Sequence, residues 1–589
     1  MKQFFKYTLA SLLGSILTFA ILIGILIAII SAFVAGFSEQ EAIIDDNSVL
    51  KLRLATDIPD KASDNPFSNI DFISMTSTKT MGLNNILKNI EKAKKDDKIK
   101  GIFLDVGSIP SGLGTVEEIR NKLIDFKESG KFIIAYSSGY TQKSYYLASV
   151  ADKIYLNPEG SFDWKGLYSQ VIFFKGALDK LGIEAQIFRH GQFKSAVEPF
   201  FTDKMSEASK LQTITLIQSI WDDMCTKISK SRNIEIEKLN LIADSLWAYD
   251  AKTAKEYKFV DGLVYYDEVL AELKTMSKSE EDPEDFIVSL GDYASVKIKT
   301  KANNSKDKIA VIFAEGEIID GGKSEGSLAG DWMAEIIREV REDEDIKAVV
   351  LRVNSPGGSG LASDIMWREI TLTKEKKPVV VSMGNLAASG GYYIACPANY
   401  IFALPSTLTG SIGVFGMLPN VEKLMTEKLG ITVDGVGTNA QSDFGQITRK
   451  TTTSEANLIQ NQVEEFYDTF IQKVADGRGL TKAEVDSIGQ GRVWSGLNAI
   501  EIGLVDEIGG LNDAVAKAAS LANLSEYRLI EYPQKEDAFE TFIKDYNKNV
   551  TEKVIKETLN KNYKFWQIIK NAQNMSGIQA RMEYELEIN

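Results

Sequence analysis

The stretch IKAVVLRVNSPGGSG, residues 346–360, decides the fold. Its first part is a short apolar run rich in β-branched residues, the pattern of a strand buried in a parallel sheet. Its second part is a Pro-Gly-Gly turn, and GLASDIMWREITLTKE, residues 360–375, then reads as a helix. Strand, turn and helix in succession open a right-handed crossover unit. Working outward, KIAVIFAEGEI (308–318) and PVVVSM (378–383) read as further strands of the same kind. So do GIFLDV (101–106), KFIIAY (131–136) and DKIYLN (152–157), with GTVEEIRNKLIDFKES (114–129) helical between the first two. The fold class is α/β.

The earlier strands are not independent of the later ones. IKGIFLDVGSIPSG (99–112) resembles the opening stretch. SYYLASVADKIYLNPEGSF (144–162) resembles GYYIACPANYIFALPSTLTGSI (391–412), and LGIEAQ at Leu181 matches LGITVD at Leu429. LWAYDAKTAKEYKFVDGL (246–263) matches VWSGLNAIEIGLVDEIGGL (493–511). The order is kept at a nearly constant offset, so two homologous domains stand in tandem. The division is an anchor over 1–45, a first repeat over 46–295, a second over 296–535 and a charged, helical tail over 536–589.

At 589 residues the chain is too long for one core. A net charge of −15 argues against nucleic acid as the main partner. One histidine, His190, and two distant cysteines, Cys225 and Cys396, are too few for a zinc site, and no cofactor is expected. The cysteines read as two buried thiols rather than a disulfide. At the N-terminus no charged residue falls between Lys6 and Glu39, a run longer than the ~20 residues that span a bilayer. It exceeds the apolar core of a cleaved signal peptide. Lysines precede it and acidic residues follow, which places the N-terminus in the cytoplasm and the rest of the chain across the membrane.

The two repeats differ where chemistry is expected. Aligning the Tyr-Tyr pairs sets Ser389 of GNLAASGGYYIA (384–395) opposite Gln142. Aligning the LGI triplets sets Lys194 of GQFKSAVEPF opposite Ser442. One repeat keeps a serine and the other a lysine, so together they make one site across the interface. A serine hydroxyl needs a base, and Lys194 is the candidate. Its ordinary pKa near 10.4 forbids that role. Burial among apolar groups lowers a lysine by up to ~3–5 units, and Phe193, Ala196, Val197, Phe200 and Phe201 flank Lys194. The plain alternative is a surface lysine paired to Glu198. His190 is the rival base and stands second. For the oxyanion, backbone N–H groups suit: Gly358, with Gly357 in contention, and Gly390. Ser411 in TLTGSIGV (407–414) either aims the lysine or belongs to a simple turn.

NSPGGS, AASGGYYIA, TLTGSIGV and GQFKSAVEPF, in that order of interest, resemble signal peptide peptidase A, or protease IV, in its long tandem form. The resemblance runs from about residue 48 to 535. It implies two Clp-protease/crotonase-like domains, a serine–lysine dyad of Ser389 and Lys194, Ser411 orienting the lysine, and Gly358 and Gly390 as oxyanion donors. It further implies a homotetramer, anchored in the inner membrane by a single pass with its catalytic domains periplasmic, that degrades released signal peptides. A crotonase-like acyl-thioester enzyme and a silent membrane scaffold are the alternatives.

Overall fold

The computed structural model describes residues 2–36, 42–62, 70–71, 76–77, 81–298, 304–323, 326–534 and 577–582. Helix α1 (Lys2–Gly36) has 35 residues. Its window Lys6–Ile25 has a mean hydropathy of 2.2 and is not buried among the described residues. Twenty residues at ~1.5 Å each reach about 30 Å, the depth of a bilayer core.

The first repeat forms β1 (Ser48–Leu52), β2 (Ile99–Asp105), α2 (Leu113–Lys127), β3 (Phe132–Tyr140) and β4 (Lys153–Phe162). The chain then leaves this sheet through β5 (Glu184–Arg189) and returns along α3 (Glu207–Arg232) to β6 (Gly262–Leu263) and β7 (Ile287–Ser289). The sheet order is β6-β4-β3-β2-β1-β7, parallel throughout. Burial on both faces explains the unbroken apolar runs.

The second repeat opens with β8 (Lys308–Glu315), β9 (Glu317–Ile319), β10 (Ser327–Ala329), β11 (Ile346–Ser355) and β12 (Gly357–Ser359). It continues through α4 (Gly360–Lys376), β13 (Val379–Ala388), α5 (Gly390–Ala395), β14 (Tyr400–Ala403), β15 (Leu408–Gly410) and β16 (Phe415–Asn420). Helix α6 (Thr453–Arg478), β17 (Val493–Ser495), β18 (Glu507–Ile508) and β19 (Arg528–Tyr532) complete it. Near the end of the chain, β20 (Gly577–Arg581) is a further strand. The main sheet runs β17-β15-β13-β11-β8-β19, with β14 beside β13 and β18 beside β14. The pairings β8–β11, β11–β13 and β8–β19 repeat β1–β2, β2–β3 and β1–β7, all parallel. The irregularity at the first residue of β1 recurs at the first residue of β8. Helices α3 and α6, 26 residues each, also correspond.

A third sheet, ordered β10-β9-β12-β20-β16-β5, mixes the repeats. Strand β5 of the first repeat lies antiparallel to β16 of the second over six residues, from Arg189 against Phe415 to Glu184 against Asn420. This exchange carries the segment after β5 onto the second repeat.

Two sequence expectations change. The helical tail falls almost wholly outside the described residues, and its described part, β20, is a strand rather than a helix. The match of Lys194 with Ser442 has no structural counterpart, because residues 430–452 form no strand and are largely exposed. The first repeat has EAQIFR there, which buries alternate residues. The second has a polar, glycine-containing run with no such alternation.

The repeats meet through buried polar groups. Arg352 on β11 pairs with Asp60 at 2.8 Å and Glu118 of α2 at 2.5 Å, all three almost completely buried. Glu315 completes the group by accepting from the Asp60 N–H at 3.3 Å. The Asn385 side chain of the second repeat caps α2 of the first, accepting from Thr115 N at 2.9 Å and donating to its Oγ1 at 2.9 Å. Cys225 and Cys396 are free and lie in separate cores. Burial pushes both thiols up to about 12, so they are inert.

Candidate active site

Lys194 follows β5 and precedes the short turn Ser195–Val197. Its side chain is 1% exposed. Around the turn, Val197 packs with Phe415 and Met417 of β16, bordered by Ala196, Phe200 and Phe201. These are apolar flanks already visible in the sequence. Glu198 does not serve a surface lysine: it lies 3.7 Å from Arg189 and accepts from Ser206 N at 3.1 Å.

Ser389 sits between β13 and α5 and is fully buried. Its backbone has φ 55° and ψ −113°, outside the usual regions for a side-chain-bearing residue. Such strain persists only where the surroundings fix it, and here the Ser389 N–H is held by the Gly410 carbonyl at 2.8 Å. Lys194 Nζ lies 2.9 Å from Ser389 Oγ, 3.0 Å from Ser411 Oγ and 3.3 Å from the Ser411 carbonyl. Ser411 also has a positive φ, 48°, and its N–H donates to Arg492 O at 2.7 Å. All three sequence-selected side chains therefore meet at one amine.

Gly358 has φ +153°, and a β-carbon there would fall 1.9 Å from the Ile318 carbonyl oxygen. Only glycine lets β12 lie this close to β9. A β-carbon at Gly390 would lie 3.1 Å from the Gly357 Cα and 3.1 Å from the Ala580 carbonyl oxygen. The glycine strand, the start of α5 and Ala580 thus converge. Strand β20 runs antiparallel between β12 and β16, with Ala580 facing Gly358, Arg581 facing Gly357 and Gln579 facing both Ser359 and Phe415. Met582 N donates to Pro356 O at 2.7 Å, and Arg581 forms an ion pair with Glu317. The chain lays its own extended segment across the site.

His190 is drawn elsewhere. Its Nδ1 contacts Glu464, and its ring stacks on Tyr467 at 3.8 Å. In the first repeat, the position matching Ser389 is closed by Gln142. Its Oε1 accepts from Lys165 N at 3.0 Å and Gly166 N at 2.9 Å, and its Nε2 donates to Gly166 O at 3.1 Å. One feature escaped the sequence reading. Gly491, φ +84°, lies under Lys194, where a β-carbon would stand 2.6 Å from the Lys194 Cα. Its only signal was its place two residues before the repeated VWSGLN segment.

An amine against a strained, buried serine, beside glycine backbone that faces a carbonyl, suits attack of a serine oxygen on an acyl carbon. The class so defined is a serine hydrolase built across two α/β repeats. The profile of peptidase family S49 matches the chain twice, over residues 125–280 and 371–525. "Protease 4" of Salmonella typhi is 41% identical over 76% of this chain and 73% of that protein. "Protease 4" of Haemophilus influenzae is 39% identical over 74% and 72%. "Serine protease SPPA, chloroplastic" of Arabidopsis thaliana is 35% identical over 75% and 66%. The chain belongs to peptidase family S49 and is a serine protease. The acyl-thioester and scaffold alternatives are set aside by that membership.

Proposed function

We propose that the protein is an endopeptidase anchored in the inner membrane by α1, with its repeats on the periplasmic side, that degrades signal peptides after their release. Ser389 is the nucleophile, Lys194 the general base, Ser411 the residue that aims the lysine, and Gly358 and Gly390 the oxyanion donors. The observation that carries this reading is the 2.9 Å contact between two buried side chains, Lys194 Nζ and Ser389 Oγ. Burial away from water disfavours an ammonium ion and favours the neutral amine that a base requires.

Lys194 takes the Ser389 proton as Oγ bonds to the peptide carbonyl carbon. The C=O π bond opens and the carbonyl oxygen becomes an oxyanion facing the two glycine N–H groups. The C–N bond then breaks, and the lysine ammonium returns its proton to the leaving amine. Water attacks the acyl-enzyme with Lys194 again as base, releasing the second product and restoring Ser389. The extended seat of β20 between β12 and β16 supports a peptide rather than a small acyl group as the natural occupant.

The apolar, unburied window of α1 supports the anchor. The assembly we propose is a homotetramer. The exposed apolar side chains of Leu429, Val433, Val436 and Phe444 offer a surface for contact between copies. Within each copy, 46–295 and 296–535 act as the two repeats. The test is cleavage of an apolar signal-peptide substrate by detergent-solubilised protein. Ser389→Ala and Lys194→Ala should each lose activity by on the order of 10³-fold or more with the fold intact. Full activity in either variant rules the reading out.

A further inference from the structure

The base is held from both sides of its own peptide segment by one amide. Gln212 on α3 is 2% exposed. Its Nε2 donates to the Phe193 carbonyl at 3.1 Å and to Ser195 Oγ at 2.6 Å, the residues immediately before and after Lys194. Its Oε1 accepts from Val493 N at 3.2 Å, on β17 of the opposite repeat. The residue before Val493 is Arg492, whose carbonyl holds the N–H of Ser411. A single side chain of the first repeat therefore ties the lysine turn to the segment that fixes the lysine's hydroxyl partner. Gln212 also lines the small cavity that Lys194 borders, with Ser195, Ser411, Gly491 and Val493.

We propose that Gln212 is a positioning residue for the peptidase reaction: it locks the Lys194 turn against the second repeat, so that the amine reaches Ser389 and Ser411 together. This rests on the dyad reading. The lysine belongs to one repeat and the serine to the other, so their distance depends on how firmly the repeats are registered at this point. An amide is suited to the task. It donates twice toward one segment and accepts from the other, and it brings no charge beside the base. Among the described residues, charged side chains near the Lys194 turn are engaged with other groups. Arg189 donates to the Lys194 carbonyl at 3.1 Å, Glu198 lies against Arg189, Arg492 stacks on Phe193 and Trp494, and Arg581 pairs with Glu317. A carboxylate in place of the amide adds a negative charge to the cavity that Gln212 and Lys194 both line. That favours the ammonium and raises the pH at which the base becomes available.

The test compares Gln212→Met and Gln212→Glu with the unaltered full-length protein, by steady-state cleavage of a fluorogenic peptide across pH and by thermal melting. Gln212→Met keeps the bulk and removes all three hydrogen bonds. A base misplaced by about an ångström costs on the order of 10²-fold, so kcat should fall by roughly that factor with KM changed little. Gln212→Glu keeps the acceptor for Val493 and should move the acid limb of the kcat/KM profile to higher pH. A side chain that only stabilised the interface would lower the melting temperature of Gln212→Met and leave its kcat near the wild-type value well below the melt. Wild-type kcat in Gln212→Met, or an unmoved limb in Gln212→Glu, overturns the proposal. Should Gln212→Met fail to fold, the limb of Gln212→Glu decides. Failure of the dyad reading is seen separately, as retained cleavage in Lys194→Ala.

Discussion

Lys194 Nζ and Ser389 Oγ stand 2.9 Å apart although 195 positions separate them along the chain. Strand β5 makes this possible by pairing with β16 instead of with the sheet of its own repeat. Everything expected of the site follows from that exchange.

Strand β20 occupies the edge of β12 on which the proposed mechanism seats a peptide substrate. Ala580 faces Gly358, and Ala580 and Met582 are almost completely buried. A chain ending at Ser576 should therefore cleave peptides with kcat/KM raised by about tenfold, equivalent to releasing ~1.4 kcal/mol of self-occupation. A synthetic GIQARM peptide should inhibit that shortened chain competitively. Steady-state kinetics on both forms checks this, and equal kcat/KM would show that the strand does not obstruct the site.

Gly358→Ala places a methyl group against the Ile318 carbonyl, 1.9 Å from the oxygen before any shift. The strand must move, and the N–H proposed to face the oxyanion moves with it. The loss expected is about 10²–10³-fold in kcat, the size seen when one such donor is removed. Single-turnover acylation isolates the step. The proposed donor role fails if the acylation rate is unchanged.

Glu315 gives the protein a distinct response to pH. Burial first, and then the neighbouring Asp60, push its carboxyl up to about 8, with Arg352 opposing and Asp57 adding to the rise. In the folded chain it keeps its proton up to about 8. In the unfolded chain it releases it near 4.5. Between those values the unfolded state holds fewer protons, so this group's contribution to stability falls as pH rises. Glu315→Gln should leave the melting temperature unchanged below pH 4.5 and raise it increasingly toward pH 8. A pH-independent difference between the two proteins would contradict this.

Much of the fold was readable because buried parallel strands leave unbroken apolar runs, and duplication shows each run twice. GIFLDV, KFIIAY and DKIYLN fall within β2, β3 and β4 or overlap them by all but a residue, as AVVLRV and PVVVSM do for β11 and β13. The candidate site was readable for a different reason. Gln142 opposite Ser389 marked what one repeat had lost, and the loss is physical, since the glutamine amide fills the vacated space. The strand exchange of β5 was not readable, because EAQIFR has the same alternation whichever sheet receives it. Nor was the role of Gln212, a lone polar residue in a long helix whose partners are two backbone groups and a hydroxyl remote in sequence. Strand β20 was hidden by its charged surroundings, which suggested a helix.

The central claim is that a buried lysine of one repeat activates a serine of the other. The most direct measurement is the rate of covalent labelling by a serine-directed fluorophosphonate, with the adduct located by mass spectrometry, in unaltered protein and in Lys194→Ala. The account predicts a single adduct on Ser389, formed faster as pH rises, and slowed by on the order of 10³-fold or more without the lysine. Labelling of Ser389 at equal rates in both proteins, or an adduct on another serine, would contradict it.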